Sequence, residues 1–167
     1  RKEEQYATVA EVIGNLGAMG QDSLKRMLAY SGVAQAGYLL VGVIVASGLG
    51  ARATVFYMLV YLFMNAGPFA VIAARERAGA GSALSSLQGL GREAPVLAWS
   101  MTISMIALAG LPITAGFIGK LFLIEAAVAS DSYAWLGVLI VVGSAMSLVY
   151  YLRVIADPAV SAQFGVT

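Results

Sequence analysis

The chain has 167 residues, of which 60% are hydrophobic and 11% are charged, and its mean hydropathy is +0.84. A soluble domain has about 25% charged residues and about 45–50% apolar ones, so this composition indicates an integral membrane protein. The absence of cysteine and histidine excludes disulfides, thiolate chemistry and imidazole metal ligands. The net charge is +1 and no basic run points to nucleic acid. Acid–base chemistry therefore falls to Lys, Asp, Glu and Tyr.

Residues 6–20 form the first apolar segment, which is shorter than the roughly 20 residues that cross a bilayer. We therefore expect the end of a truncated membrane helix. Gly14, Gly17 and Gly20 recur at every third position and predict a flat edge on which a second helix packs closely. Glu11 lies inside this segment. The simpler interpretation is a frayed helix end whose carboxylate reaches the interface, and the alternative is a buried carboxylate in a proton relay.

Two apolar spans follow, at residues 27–46 and 54–74. In the first span, Ser31 and Gln35 are four residues apart and share one helix face. The second span carries Asn65 near its middle. Such side chains hold water in a proton path or form interhelical hydrogen bonds. These bonds contribute only about 0.6 kcal/mol on average in membranes, so plain packing is an open alternative.

Residues 75–93 form the longest polar connection, in which leucines recur every three residues and predict a short interfacial helix. A last apolar span covers residues 134–155. It ends in Tyr150, Tyr151 and Arg153, which we interpret as an aromatic and cationic anchor at the membrane interface.

Between these, residues 95–129 form an apolar segment that is interrupted around Gly110–Gly119. The interruption contains Gly110, Pro112, Gly116 and Gly119. Proline removes a backbone donor and glycine lowers the cost of non-helical backbone, so the pattern predicts a discontinuous helix. Within a bilayer, a break of this kind is tolerated only where protein or a water-filled cavity satisfies the freed backbone groups.

Lys120 directly follows the interruption. An ionisable side chain inside a membrane is by default a functional-site hypothesis, and we predict a proton-transfer role for this amine. The alternative is a lysine near a helix end that extends its amine to the interface. Glu125 lies five residues later and outside the i+3 and i+4 spacing, so it is not a natural same-face partner. We interpret Glu125 as an interface residue, with an exit carboxylate as the alternative.

The distribution of basic residues depends on whether the broken segment crosses the membrane once or forms a hairpin. With a single crossing, one side of the membrane carries Lys25, Arg26, Arg75, Arg77, Arg92 and Arg153. The positive-inside rule would place that side in the cytoplasm. With a hairpin, Arg153 would change sides.

Four stretches together resemble one family, and they are residues 24–40, 56–71, 108–120 and 149–154. The first, LKRMLAYSGVAQAGYLL, closely resembles the KR-LAYS…GYLL signature of the antiporter-like subunits of respiratory complex I. The third, LAGLPITAGFIGK, is similar to the discontinuous helix of the N-type subunits. Tyr57, Tyr61 and Asn65 stand where L-type subunits resemble HxxxHxxxK, which favours the N type. The resemblance covers residues 13–155.

The resemblance implies an all-α integral membrane protein: a five-helix antiporter-like repeat with one discontinuous helix whose key lysine matches Lys120. It implies that residues 1–167 are a single membrane-domain fragment, the second of two inverted repeats of a longer subunit. For Lys25 it adds a relay or inter-subunit role, beside the equally simple role of a cytoplasmic anchor. Two positions depart from the family pattern: Glu11, normally apolar, and Asp22, usually Thr or Ser.

The function that the resemblance implies is proton translocation in the membrane arm of NADH:quinone oxidoreductase, in the bacterial plasma membrane. The partners would be other membrane subunits, especially neighbouring antiporter-like ones, and no nucleic acid. The sequence has no Gly-rich phosphate loop, no metal-ligand cluster and no nucleophile–base pair. We therefore expect NADH, FMN, iron–sulfur clusters and quinone on partner subunits. Two alternatives remain: a subunit of a related cation/proton antiporter, and a membrane scaffold without a proton path.

Overall fold

The computed structural model describes residues 2–87 and 90–156, and these are helical apart from short connections and one isolated bridge between Ser23 and Ala83. The helices are α1 (Lys2–Met19), α2 (Leu24–Ile44), α3 (Gly48–Arg77), η1 (Leu84–Leu87), α4 (Leu90–Glu93), α5 (Pro95–Ala109), α6 (Ala115–Val128) and α7 (Ala134–Ala156). Three of them, α2, α3 and α7, are long and apolar enough to cross a membrane. The predicted all-α membrane class is confirmed.

α1, α2 and α3 begin before the apolar spans that the sequence suggested, whereas α5 and α7 begin at the predicted residues 95 and 134. For α3, which begins six positions before the predicted 54, Ser47 is the N-cap and its hydroxyl accepts from the Gly50 amide at 3.0 Å. α2 has no side-chain N-cap. Its first amide, that of Leu24, donates instead to the backbone carbonyl of Ser82, in the connection after α3, at 2.9 Å. These contacts satisfy amides that would otherwise lack partners.

α1 and α2 form a closely packed antiparallel pair because glycine removes the side chains between them. A Cβ on Gly14 would lie 2.4 Å from the Ala34 amide nitrogen, and one on Gly17 would lie 2.4 Å from the Tyr30 ring. Gly20 faces open space. The flat glycine edge is therefore confirmed for Gly14 and Gly17 and wrong for Gly20, which follows the end of α1.

The break in the discontinuous helix is shorter than predicted. Gly110 adopts a left-handed conformation (φ 76°) and ends α5, while the amides of Gly110 and Leu111 donate back into its last turn. α6 begins at Ala115. Gly116 and Gly119 therefore lie inside α6 and serve packing. Cβ atoms there would lie 2.0 Å from the Ala107 carbonyl oxygen and 2.4 Å from the Tyr57 ring.

The polar connection before α5 also differs from its prediction. Its described residues form two single turns, η1 before and α4 after residues 88–89, and its leucines Leu84, Leu87 and Leu90 are buried. The Arg75 side chain holds the connection by donating to the Ser86 carbonyl at 2.6 Å. The leucines thus close one end of the helix bundle, where the sequence suggested contact with lipid headgroups.

Ion pairs indicate that α5 and α6 run through the helix bundle once, as a single broken helix. Arg153, at the end of α7, pairs with Asp22 in the α1–α2 turn at 3.0 Å. Lys25 pairs with Glu76 at 3.0 Å, so the α3–α5 connection lies on the same side. We call this side the basic face, with Lys25, Arg26, Arg75, Arg77, Arg92 and Arg153. A hairpin at the break would have placed Arg153 on the opposite side.

This crossing predicts a labelling pattern, which is easy to test because the chain has no cysteine of its own. Ser85 and Ser132 are exposed residues in the connections before α5 and after α6. We expect a membrane-impermeant maleimide to label Ser85→Cys from one side of sealed vesicles and Ser132→Cys only from the other. Labelling of both variants from the same side would mean that the break is a hairpin.

Candidate functional site

The amine of Lys120 lies at the break and is held by the end of α5. The residue is 4% exposed, and its Nζ donates to the carbonyls of Leu108 at 3.2 Å and Ala109 at 3.4 Å. The last four carbonyls of a helix have no partner within the helix and form the negative end of its dipole. A Cβ on Gly110 would lie 3.1 Å from Nζ. The break therefore provides both the acceptors and the room for an ammonium group.

The backbone of the break is strained at one residue. Ile113 has a φ of 81°, in the left-handed region that a β-branched side chain strongly disfavours. Strain of this kind costs about 1–3 kcal/mol and occurs preferentially at functional sites. The side chain of Ile113 is almost fully exposed, as is expected where no packing dictates the residue. Pro112 beside it is also exposed.

Thr114 fixes the start of α6 and so the position of Lys120. Its hydroxyl accepts from the Phe117 amide at 3.2 Å and donates to the Leu111 carbonyl at 2.7 Å. We expect Thr114→Ala to lower stability by about 1 kcal/mol, as for other lost N-caps, and to lower proton transport as well. The matched control is Ser47→Ala, which removes the equivalent cap of α3 far along the chain. Proton transport and thermal unfolding are measured for both variants. Equal transport in Thr114→Ala and Ser47→Ala would contradict this role.

Tyr38 of α2 lies over the same amine. Its ring centroid is 5.2 Å from Lys120 Nζ, within the distance of a cation–π contact. The tyrosine is fully buried, and its hydroxyl accepts from Asn15 Nδ2 at 3.4 Å. The ammonium of Lys120 is thus stabilised on one side by carbonyls and on the other by an aromatic face.

Glu11 is buried in the centre of the bundle, and the expected location at the interface is wrong. It is 1% exposed, because α1 extends back to Lys2 and because α2 and α7 cover its side chain. Neither carboxylate oxygen has a hydrogen-bond partner among the described residues. Its charge and that of Lys120 are close enough to interact. The structure therefore contains a second ionisable group in the membrane interior.

Hydroxyl and amide groups extend this cluster across the bundle. Tyr150 donates to Asn15 Oδ1 at 3.0 Å, and Asn15 Nδ2 also donates to the Glu11 carbonyl at 2.9 Å. Both Tyr150 and Tyr151 are buried, so their predicted role as an interface belt is wrong. The sequence carried a signal for Asn15, since it follows Glu11 by four residues and shares its helix face.

Two of the predicted polar residues join this interior and two do not. Ser31 bonds the Tyr151 hydroxyl, and Gln35 accepts from the Tyr57 hydroxyl. Asn65 instead donates to the Tyr61 carbonyl at 3.0 Å and faces a separate apolar cavity between α2 and α3. Lys25 is exposed in its ion pair with Glu76. Its position favours the anchor, although its predicted relay role stays a prediction.

A cavity of about 180 Å³ adjoins Lys120 between α6 and α7. Its lining includes Gly110 and Ser144, and the Ser144 hydroxyl has no partner among the described residues. The space is large enough for water, which needs two or more polar partners to be stable. Within residues 2–87 and 90–156, no three acidic side chains are grouped so that they could bind a metal ion.

The sequence matches, over residues 5–147, the family described as the transmembrane domain of NADH:quinone oxidoreductases and Mrp antiporters. The chain belongs to this antiporter-like family. It is 46% identical over 153 residues to NADH-quinone oxidoreductase subunit N 2 of Sorangium cellulosum and 47% identical over 150 residues to subunit N of Trichlorobacter lovleyi. These alignments cover 89% of the chain but only 30% and 31% of the relatives. The chain thus spans about a third of their length.

Two solved structures share the antiporter-like fold. Respiratory complex I from Thermus thermophilus with bound aureothin contains a chain with a TM-score of 0.78 and 32% identity. The membrane-bound sulfane sulfur reductase, an archaeal respiratory membrane complex, contains one with a TM-score of 0.82 and 31% identity. Each match covers 92% of this chain, and 34% and 31% of the respective neighbour. The resemblance seen in the sequence is thereby confirmed.

Within residues 2–87 and 90–156, the helical bundle of this antiporter-like chain therefore encloses one amine, one carboxylate and several hydroxyls. Lys120 and Glu11 are the ionisable groups that can take up and release a proton, whereas the hydroxyls of Tyr38 and Ser144 can relay one. Chemistry of this kind suits proton transfer between fixed sites.

Proposed function

We propose that the chain is part of a proton-translocating membrane subunit of NADH:quinone oxidoreductase and that Lys120 is a proton-transfer site. The observation that carries the proposal is the buried amine, bonded to the carbonyls of Leu108 and Ala109 at the helix break. An amine in the membrane interior costs folding free energy, so its presence there is by default a functional-site hypothesis. The names of the relatives, NADH-quinone oxidoreductase subunit N, support the choice of reaction.

The surroundings of Lys120 suit an amine that gains and loses a proton. Burial disfavours its charged form, whereas the two carbonyls, the Tyr38 ring and the Glu11 carboxylate favour it. Because these effects oppose each other, a modest change nearby is enough to load or unload the amine. Redox events elsewhere in a complex can deliver such a change by moving a charge or a helix.

The redox groups belong, in this proposal, to partner subunits. NADH, FMN, iron–sulfur clusters and quinone would be bound there, and this chain would contact neighbouring antiporter-like subunits within the bacterial plasma membrane. The basic face would lie in the cytoplasm, since Lys2 and Arg52 are the only basic residues of the described part on the opposite side.

The second candidate function is cation/proton antiport, which the family description favours because it includes Mrp antiporters. The two functions differ in what drives transport. In sealed vesicles with the native complex, we expect proton uptake that starts with NADH and a quinone, stops when quinone reduction is inhibited, and needs no sodium. Uptake that requires sodium or potassium and proceeds without NADH and quinone would instead establish antiport.

A scaffold without a proton path is the third interpretation, and the buried charges weigh against it. A scaffold gains no stability from an amine and a carboxylate in its interior, because apolar residues of similar volume would make the protein equally stable or more stable. It predicts that substitution of Lys120 affects assembly alone.

A further inference from the structure

Glu11 occupies a space that two glycines create. Its side chain leaves α1 and crosses α2 at Gly37, where a Cβ would lie 2.6 Å from Glu11 Cγ. The carboxylate then reaches α7 at Gly143, where a Cβ would lie 3.0 Å from Oε2. Side chains at either position would block the carboxylate, so the bundle is shaped around it.

Tyr38 lies between this carboxylate and Lys120. The position that a Cβ of Gly143 would occupy is 2.8 Å from the Tyr38 hydroxyl and 3.0 Å from Glu11 Oε2, so the two oxygens flank a single point. The ring of the same tyrosine contacts the lysine, with its centroid 5.2 Å from Lys120 Nζ. Asn15 holds the Tyr38 hydroxyl in place. The Tyr38 side chain is therefore a neighbour of both the Lys120 amine and the Glu11 carboxylate.

The groups around Glu11 identify Lys120 as its counter-charge. On α1, Asn15 donates to the backbone carbonyl of Glu11 and not to its carboxylate. α2 contributes Tyr38 and α7 contributes Tyr150, and both tyrosines are hydrogen-bonded to Asn15. Lys120 of α6 is the cation whose charge acts on Glu11. A buried carboxylate without a hydrogen-bond partner is costly, which is unfavourable for a purely structural residue and useful for one that must change protonation.

We propose that Glu11 is the proton-exchange partner of Lys120, with Tyr38 between them. In this step an N–H bond of the Lys120 ammonium breaks, an O–H bond forms on the Glu11 carboxylate, and both side chains become neutral. The reverse step restores both charges, so no other reactant is needed. The inference rests on the proposed function, because only there is the exchange coupled to turnover.

The first test compares Glu11→Gln with Glu3→Gln, in the native complex and its membrane. Both residues are on α1, but Glu3 is exposed. We expect Glu11→Gln to lower NADH-driven proton uptake by more than about tenfold, since a positioned proton-transfer group contributes about 10²–10⁴-fold. Glu3→Gln should match the wild type. If Lys120→Met abolishes uptake and Glu11→Gln does not, this inference fails and the proposed function stands. If Lys120→Met has no effect, the proposed function fails.

Two further variants separate exchange from packing. Gly143→Ala places a methyl group between the Tyr38 hydroxyl and Glu11 Oε2, so we expect lower uptake with the carboxylate still present. The double variant Glu11→Gln/Lys120→Met should be no slower than Lys120→Met alone, because residues that act as a unit are not additive. Multiplied losses in the double variant would overturn the exchange.

Infrared difference spectroscopy tests the charge coupling between Glu11 and Lys120 that the exchange requires, and it does not depend on the accumulation of Glu11→Gln. The wild-type protein and Lys120→Met are titrated with acid while the carbonyl stretch of protonated carboxylic acids is followed. We expect the removal of the amine to shift the titration of one buried carboxyl group, because its counter-charge is gone. Identical titrations in the two proteins would overturn the proposal.

Discussion

Replacement of Lys120 with Met is expected to abolish most coupled proton uptake while the protein still assembles. Methionine is unbranched, flexible and similar in length, so it can fill the buried space without the charge. The carbonyls of Leu108 and Ala109 would lose their donor, and an unsatisfied buried group costs about 1–3 kcal/mol. The substitution also removes a counter-charge from Glu11. Stability should therefore fall modestly and transport severely.

The measurement follows NADH-driven quinone reduction and proton uptake on the same native membranes, with assembly checked on a native gel. Lys2→Met is the matched control, since it removes an exposed lysine at the start of α1. An assembled Lys120→Met protein that pumps as well as Lys2→Met would show that the amine only anchors a helix.

Among the variants proposed, Gly116→Ala is expected to cause the largest loss of folding stability. A Cβ at this position would lie 2.0 Å from the Ala107 carbonyl oxygen and 2.9 Å from Met64 Sδ. The carbonyl belongs to the backbone of α5, so the clash is relieved only by moving α6 away from α5. Overpacking costs about 1–3 kcal/mol and occasionally more, and a backbone obstacle places this case at the upper end.

The expected readout for Gly116→Ala is a lower thermal unfolding midpoint and several-fold less assembled protein. Gly48→Ala is the control, because Gly48 also lies in a helix and a Cβ there meets open space. If Gly116→Ala proved as stable as Gly48→Ala, the close approach of α5 and α6 at the break would be wrong.

The break and its lysine were predictable because their signals are local. Glycine and proline act on the backbone of their own turn, so the interruption of an apolar run is visible in the sequence. The extent of the break was not predictable. Gly116 and Gly119 are indistinguishable from helix-breaking glycines until Ala107 and Tyr57 are seen to pack against them.

The burial of Glu11 could not be predicted because it depends on contacts between distant segments. The sequence places this carboxylate in a short apolar stretch near a chain end, where exposure is the simpler expectation. Its burial follows from the glycines at positions 37 and 143, on two other helices. The same holds for Tyr150 and Tyr151, whose polar partners Asn15 and Ser31 lie far away in sequence.

The most direct test of Lys120 as a proton carrier is Lys120→Arg, which separates charge from proton transfer. Arginine keeps the positive charge and its donors but is not deprotonated in proteins. We expect an assembled complex whose NADH-driven proton uptake is lost, because the guanidinium cannot release a proton. Uptake at the wild-type level in Lys120→Arg would contradict proton transfer by Lys120, since a fixed positive charge at the helix break would then be sufficient.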